Sequence, residues 1–194
     1  LRTMSVMKNI LAEAEIEEEI PRDFAIYDLV QFLNGVTLHD NPSIEFPNES
    51  NLTIREGKDR KTKYFFADPS VIVSPPEKSI ELPTEDVCFN LDSTQLQSLL
   101  KASAVYQLPD LVAVGEAGVV KLVVRDKKND TSNEYSINVG ETNQEFNFNF
   151  KVENIKILPG TYEVVISQKL LARFVNNNFN LTYYIALEPD STFG

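Results

Sequence analysis

Few side chains in this sequence have the chemistry of a nucleophile or a metal ligand. The 194 residues include one histidine, His39, and one cysteine, Cys88. A single cysteine excludes an internal disulfide, and a zinc site, a Cys–His pair or a Ser–His–Asp triad would each have to use His39. His39 stands in a loop-like stretch, and Cys88 is predicted to point inward in the strand VCFNL. We therefore interpret both residues as structural and predict no catalytic site.

A row of carboxylates is the other feature that could bind a metal or catalyse hydrolysis. Glu13, Glu15, Glu17 and Glu19 recur at every second position, which places them on one side of a strand. Such side chains follow one line at a spacing of about 6.5–7 Å, whereas a divalent cation needs oxygens arranged around it. We interpret the row as a solvated sheet face and predict no metal site.

Two predicted helical segments of this acidic chain carry neutral or basic side chains that could face a polyanion. The net charge is −11, with 29 acidic and 18 basic residues. One face of the predicted helix DSTQLQSLLKASAVY, opposite its leucines, carries Thr94, Gln97, Ser98 and Lys101. The second segment is EFNFNFKVENIKILPG, where Lys151 and Lys156 stand at a change from period two to a helical turn.

The elements that must position these residues are mostly antiparallel strands. Alternation predicts strands at ILAEAEIEEEI, SIEF, NLTIRE and RKTKYFFA, with a short amphipathic helix behind an Asp28 cap before the last three. After the second helix, LVAVGE, GVVKLVVRD and EYSINVGE form a predicted meander, followed by FNFNFK, TYEVVIS, LLARFVN and LTYYIALE. The pattern favours an α+β fold built from short strands.

The segment DPSVIVSPPEKSIELP divides the chain. It contains four prolines and little periodicity, which predicts an extended connector. We predict a first domain at residues 1–74, a connector at 75–84 and a second domain at 85–194. The order of strand, helix and three strands occurs twice in the second domain, whereas the first domain is about 26 residues shorter, about one strand and one helix. We therefore expect a strand and a helix to precede Leu1.

The order of these blocks resembles the DNA polymerase sliding clamps of myovirus-type tailed bacteriophages. The blocks are FAIYDLVQFL, YFFADPSVIVSPP, DSTQLQSLLKAS, FNFNFKVENIKILPGTY and YYIALEPDST, and together they span essentially the whole chain. Such clamps are similar to the proliferating cell nuclear antigen and the bacterial beta clamp. The resemblance implies an α+β DNA-clamp fold, in which two similar domains of antiparallel sheet carry helices on one face and assemble into a ring. The sequence departs from the family in lacking a first helix and in having Phe65 or Phe66 where a Trp is common.

The resemblance implies a topological function without enzymatic activity or cofactor. A homotrimeric ring would encircle double-stranded DNA independently of sequence and tether the replicative DNA polymerase through its C-terminal peptide. An ATP-dependent clamp loader would load it, late-transcription factors bind some members, and the implied location is the cytoplasm of the infected bacterial host. The charge of −11 would ordinarily weigh against DNA binding, but an encircling ring needs only weak phosphate contacts.

The resemblance also assigns three sets of residues. The DNA-facing set is Thr94, Gln97, Ser98, Lys101, Lys151 and Lys156. A hydrophobic pocket for the partner's peptide is expected at Val71, Ile72, Val73, Leu187 and Pro189. Subunit contacts are expected on two edge strands, residues 61–66 and 134–139, through Lys63, Phe65, Tyr135 and Ile137.

Two other function classes remain open on the residues themselves. A non-enzymatic β-rich phage structural or adhesion module would have equally abundant strands and acidic charge, although the repeated strand–helix order favours a clamp. A hydrolase with paired carboxylates would have only the glutamate row to use.

Overall fold

The structure is a computed structural model that describes residues 1–194. It contains two α-helices and fourteen strands in three antiparallel sheets. The helices are α1 (Leu29–Val36) and α2 (Ser93–Tyr106), and 3₁₀ turns occur at Pro69–Val71 and Val152–Asn154. The strands are β1 (Arg2–Met4), β2 (Ile10–Ala14), β3 (Ser43–Glu45), β4 (Asn51–Glu56), β5 (Arg60–Phe65), β6 (Val87–Leu91), β7 (Asp110–Glu116), β8 (Val119–Arg125), β9 (Tyr135–Glu141), β10 (Phe146–Lys151), β11 (Tyr162–Ser167), β12 (Leu171–Asn176), β13 (Leu181–Ala186) and β14 (Thr192–Phe193).

The chain forms two compact units, but it is not simply divided into an N-terminal and a C-terminal unit at the connector. A large unit combines Leu1–Ile16 with Pro75–Gly194, and a small unit comprises Glu17–Ser74. Residues 1–16 belong to the large unit because β2 pairs with β13, with Ala12 opposite Tyr183. The predicted first domain, residues 1–74, is thus shared between the two units, and its assignment as one repeat stays a prediction.

The small unit contains α1 and the sheet β3-β4-β5. The predicted cap is confirmed, since the Asp28 side chain accepts a hydrogen bond from the Gln31 N–H at 2.9 Å. Phe32 of α1 is buried against Leu52 and Ile54 of β4. These contacts fix which side of α1 faces the sheet.

The large unit contains two sheets that share one hydrophobic core with α2. The six-stranded sheet has the order β1-β2-β13-β12-β11-β6, and the five-stranded sheet has the order β14-β10-β7-β8-β9. Phe146, Phe148 and Phe150 point into this core and are at most 2% exposed. The predicted alternation of β10 is therefore confirmed, and burial of each ring contributes about 1.5–3 kcal/mol.

Three local predictions need correction. The glutamate-rich strand ends at Ala14 rather than at residue 20, since its partner strand β13 begins at Leu181, opposite Ala14. Cys88 is exposed, because the inward positions of β6 are Val87, Phe89 and Leu91. The predicted helical turn after β10 is a single 3₁₀ turn, Val152–Asn154, and it contains neither Lys151 nor Lys156.

No helix in this structure is both long and apolar enough to cross a membrane. No group of three or more His, Cys, Asp or Glu side chains is arranged to hold a metal ion.

Candidate functional site

Helix α2 presents the largest part of the predicted DNA-facing set. Its start is fixed by a capping box, in which Asp92 accepts from the Gln95 N–H at 2.8 Å and the Gln95 side chain accepts from the Asp92 N–H at 3.0 Å. The rotation of the helix is fixed by Leu96 and Leu99, which are each 1% exposed in the core. The predicted residues consequently share the outer side, where Thr94, Gln97 and Lys101 are exposed and Ser98 is half-buried.

The outer side of α2 has an unusual charge for this chain. The helix contains no Asp or Glu, and Lys101 makes no ion pair. Its last turn adds exposed Val105 and Tyr106. The surface is therefore neutral apart from one uncompensated cation, which would attract a polyanion without holding it tightly.

Lys156 is a second uncompensated cation of the large unit. It stands between Ile155 and Ile157, which are both buried in the core, so its own side chain is directed to solvent. The preceding 3₁₀ turn is joined to the loop after α2 by a hydrogen bond from the Val152 N–H to the Pro109 carbonyl at 2.9 Å. The prediction for Lys156 is compatible with this placement.

The structure does not bring Lys151 together with the other predicted DNA-facing residues. β10 continues through Lys151, so strand alternation directs this side chain away from the face on which Phe150 meets the core and α2. Its Nζ lies 2.5 Å from Oδ1 of Asp110, a carboxylate that is 1% exposed. The hydrogen bond to Asp110 raises the pKa of Lys151, although desolvation opposes this. The structure thus gives Lys151 a partner within the fold.

Asp110 is a buried carboxylate whose role the sequence did not reveal. It also accepts a hydrogen bond from the backbone N–H of Lys127 at 3.1 Å, and Lys127 pairs with Asp190 at 2.7 Å. The only sequence signal was a carboxylate directly before the apolar run of β7. That position alone does not identify the lysine that compensates it.

The two predicted edge strands are edges in the structure. β5 ends the three-stranded sheet and β9 ends the five-stranded sheet. On β5, Lys63 and Phe65 are both exposed, and the lysine Nζ lies 4.6 Å from the Phe65 ring centroid. On β9, Tyr135 and Ile137 are half-buried against the core. Their part in subunit contacts stays a prediction.

The predicted pocket residues lie in both units. In the small unit, Val71 is 60% exposed, while Ile72 and Val73 are half-buried. In the large unit, Pro189 is exposed, but Leu187 is 6% exposed and belongs to the core. Leu187 therefore packs in the core of the large unit, and its contact with a peptide stays a prediction.

Solved structures with a similar fold are polymerase clamps. A DnaN sliding clamp (DNA polymerase III subunit beta) from Pseudomonas aeruginosa, bound to griselimycin, has a TM-score of 0.69 at 14% identity over 96% of this chain and 54% of that one. This chain thus spans about half the length of that structure. The PCNA2–PCNA3 complex from Sulfolobus tokodaii has a TM-score of 0.63 at 13% identity over 96% of this chain and 85% of that one. The fold is a DNA-clamp fold of the α+β class, as predicted.

Sequence relatives define the family within this fold. The family model described as "gp45 sliding clamp, C terminal" matches residues 88–189, and the model "DNA polymerase processivity factor" matches residues 1–74. The sliding clamp of Vibrio phage KVP40 is 33% identical over 195 residues, 97% of this chain and 86% of that protein. The sliding clamp of Escherichia phage RB69 is 33% identical over 202 residues, 99% of this chain and 86% of that protein. The chain belongs to the gp45 family of phage sliding clamps, which confirms the resemblance and disfavours the structural or adhesion module.

Proposed function

We propose that this protein is a processivity clamp that forms a closed ring of identical subunits around duplex DNA and tethers a replicative polymerase without catalysing a reaction. The observation that carries the proposal is the pairing of β2 with β13 inside the chain, together with two unpaired edges, β5 and β9, at corresponding places in the repeats.

The correspondence between these strands follows from element order. β13 is the last of three strands after a helical turn, and β5 is the last of three strands after α1. Similar sequences follow them, LEPDS at residues 187–191 and FADPS at residues 66–70. β2 precedes the segment that leads into α1, and β9 precedes β10, which leads into the 3₁₀ turn at Val152–Asn154. Pairing β5 of one subunit with β9 of the next would therefore repeat the β13–β2 arrangement between chains.

Charge on the two edges supports this pairing. Lys61 and Lys63 on β5 are exposed and make no ion pair, whereas Glu134 and Glu141 at the ends of β9 are exposed and equally unpaired. Each subunit would supply one basic edge and one acidic edge, which is a head-to-tail interface. Such an interface forms a ring when the rotation per subunit closes. We propose three subunits.

The DNA-facing surface of the ring would be the outer side of α2, with Lys101 and Lys156 as its cations. A few lysines neutralise only a few phosphates, so binding is weak and independent of sequence. Retention on DNA would then come from ring closure and would still permit sliding.

The proposed partners are the C-terminal peptide of the replicative polymerase, an ATP-dependent clamp loader and late-transcription factors. The phage relatives support action in the cytoplasm of the infected host. Val71, Ile72, Val73, Leu187 and Pro189 stay the proposed contacts for the peptide.

The test is to compare wild type with Lys63→Glu/Phe65→Asp by light scattering at several concentrations, and then to measure primer extension on a circular template. We expect a trimer for the wild type, and for the variant a monomer that no longer stimulates the polymerase. Lys58→Glu is the matched control, since it changes one charge in the β4–β5 turn and leaves the edge intact. A wild type that is strictly monomeric yet stimulates the polymerase fully would refute the ring.

A further inference from the structure

One side chain holds three consecutive carbonyls of the connector. The Arg2 guanidinium donates from Nη1 to the carbonyls of Pro76 at 2.6 Å and Glu77 at 3.1 Å, and from Nη2 to the carbonyl of Lys78 at 3.0 Å. Residues 75–84 form no helix or strand. The Arg2 contacts therefore replace the hydrogen bonds that regular structure would give this segment.

The position of Arg2 is itself fixed by the sheet. Arg2 on β1 lies opposite Glu13 on β2, and its Nε is 2.7 Å from the Glu13 carboxylate. β2 pairs in turn with β13, so the guanidinium is attached to the six-stranded sheet. The Arg2 side chain is only 26% exposed. Glu13 thus holds one edge of the guanidinium and leaves the rest for the connector.

This geometry requires arginine rather than a positive charge alone. A guanidinium presents five N–H donors in a rigid plane and can reach several acceptors at once. A lysine ammonium is a single point with three donors, so it can keep the Glu13 pair but cannot reach three successive carbonyls as well. Replacement of Arg2 by Lys therefore separates the effect of charge from the effect of shape.

The anchored connector borders a groove on the sheet. The groove has a volume of about 400 Å³ and is lined by Arg2, Glu13, Ser79, Val175, Asn176 and Thr182, among others. Ser79 directly follows the last carbonyl that Arg2 holds. Release of the connector would thus remove one wall of this groove.

We infer that Arg2 anchors the connector at residues 76–78 and is a positioning residue for peptides that dock beside the connector. The docking part of this inference rests on the proposed function, whereas the anchoring part does not. Arg2 acts by keeping the connector in one conformation before a partner arrives, which reduces the entropy lost on binding.

Anchoring can be measured by cleavage of the connector with trypsin. The bond after Lys78 joins an exposed lysine to Ser79, and its carbonyl is one that Arg2 holds. We expect Arg2→Gln to raise the rate of this cleavage about tenfold or more, since cleavage follows the population of the released segment. Arg2→Lys should raise it at least about threefold. Cleavage after Lys58 in the same samples serves as the internal reference.

Arg173→Gln is the matched control. Arg173 pairs with Glu85 at 3.0 Å on the same sheet and is 28% exposed, close to the value for Arg2, but it contacts no connector carbonyl. We expect the rate of cleavage after Lys78 in this variant to stay within about twofold of the wild-type rate. If both Arg2 variants are cleaved after Lys78 at the wild-type rate, the inference is overturned. It is also overturned if Arg2→Lys alone is cleaved at the wild-type rate, because a positive charge would then be enough to hold the connector.

The docking part is tested by fluorescence anisotropy with a synthetic peptide that has the C-terminal sequence of the cognate replicative polymerase. We expect Arg2→Gln to weaken binding about five- to tenfold, with Arg173→Gln unchanged. Faster cleavage with unchanged peptide affinity would overturn the positioning role. If wild type does not bind the peptide, the proposed peptide docking and the positioning role are both refuted. The cleavage rates still show whether Arg2 anchors the connector.

Discussion

Replacing Lys151 with Met would leave the Asp110 carboxylate buried without its cation. Removing one partner of a buried pair costs about 3–5 kcal/mol. We expect about 3 kcal/mol here, because the Lys127 N–H still donates to Asp110 at 3.1 Å. For a chain of this size that loss lowers the thermal midpoint by about 6–12 °C.

The reciprocal change should cost less. Asp110→Asn keeps an oxygen that can accept from the Lys127 N–H, and Lys151, whose side chain is already 26% exposed, can turn to water. We expect a loss of about 1–2 kcal/mol. In the double variant the two losses should not add, since the unpaired buried charge is absent.

The assay combines urea unfolding followed by circular dichroism with the salt dependence of equilibrium binding to a short linear duplex, on which ring closure does not retain the clamp. Lys151→Met should unfold at lower urea than wild type and keep the wild-type salt slope. Lys101→Met is the control, and we expect the opposite result for it. Its free energy of unfolding should stay within about 0.5 kcal/mol of wild type, and its salt slope should be smaller than the wild-type slope by about one. If Lys151→Met unfolds like wild type while its salt slope falls by about one, our assignment of Lys151 to the fold is wrong.

Three further predictions concern the same unit. Lys101→Glu/Lys156→Glu should shorten products in primer extension while leaving the urea midpoint unchanged, and unchanged product length would exclude a DNA role for both. The pKa of Lys151 is raised above 10.5 in the folded state. The Lys151–Asp110 ion pair therefore contributes its full stabilisation of the fold below pH 10.5 and loses it as the pH rises through the pKa of the folded state. The stability gap between wild type and Lys151→Met should therefore be constant near neutrality and narrow above about pH 10.5, and a gap that stays constant or widens as the pH rises through that range would contradict the sign. Gly115→Ala should cost about 1–3 kcal/mol, because a Cβ there would overlap the Phe146 ring and would lie 2.7 Å from the backbone carbonyl oxygen of Gln144. Wild-type stability in urea would show that both groups shift without cost.

The parts of the site that depend on local patterns could be predicted from sequence. The spacing of the leucines predicted which side of α2 faces outward. Alternation likewise predicted β5 and β9 as strands, whereas their position at sheet edges was implied by the family resemblance. These patterns depend on residues within a few positions of one another, so they can be recognised from the sequence alone.

Other features of the site depend on long-range contacts. The side on which Lys151 points depends on whether β10 ends before or after it, since one residue reverses the face of a strand. Its partner Asp110 is 41 residues away. The contacts of Arg2 with the connector left no sequence signal either, because backbone carbonyls are present at every residue.

The β2–β13 pairing has a consequence for synthesis of the chain. Tyr183 is translated about 170 residues after its partner Ala12, which corresponds to about 10–30 s at ordinary elongation rates. During this interval the β1–β2 hairpin has an open edge that other nascent strands could join. Charged side chains discourage such pairing, so the carboxylates of Glu13 and Glu15 would protect the hairpin from aggregation until the ribosome delivers its partner strand.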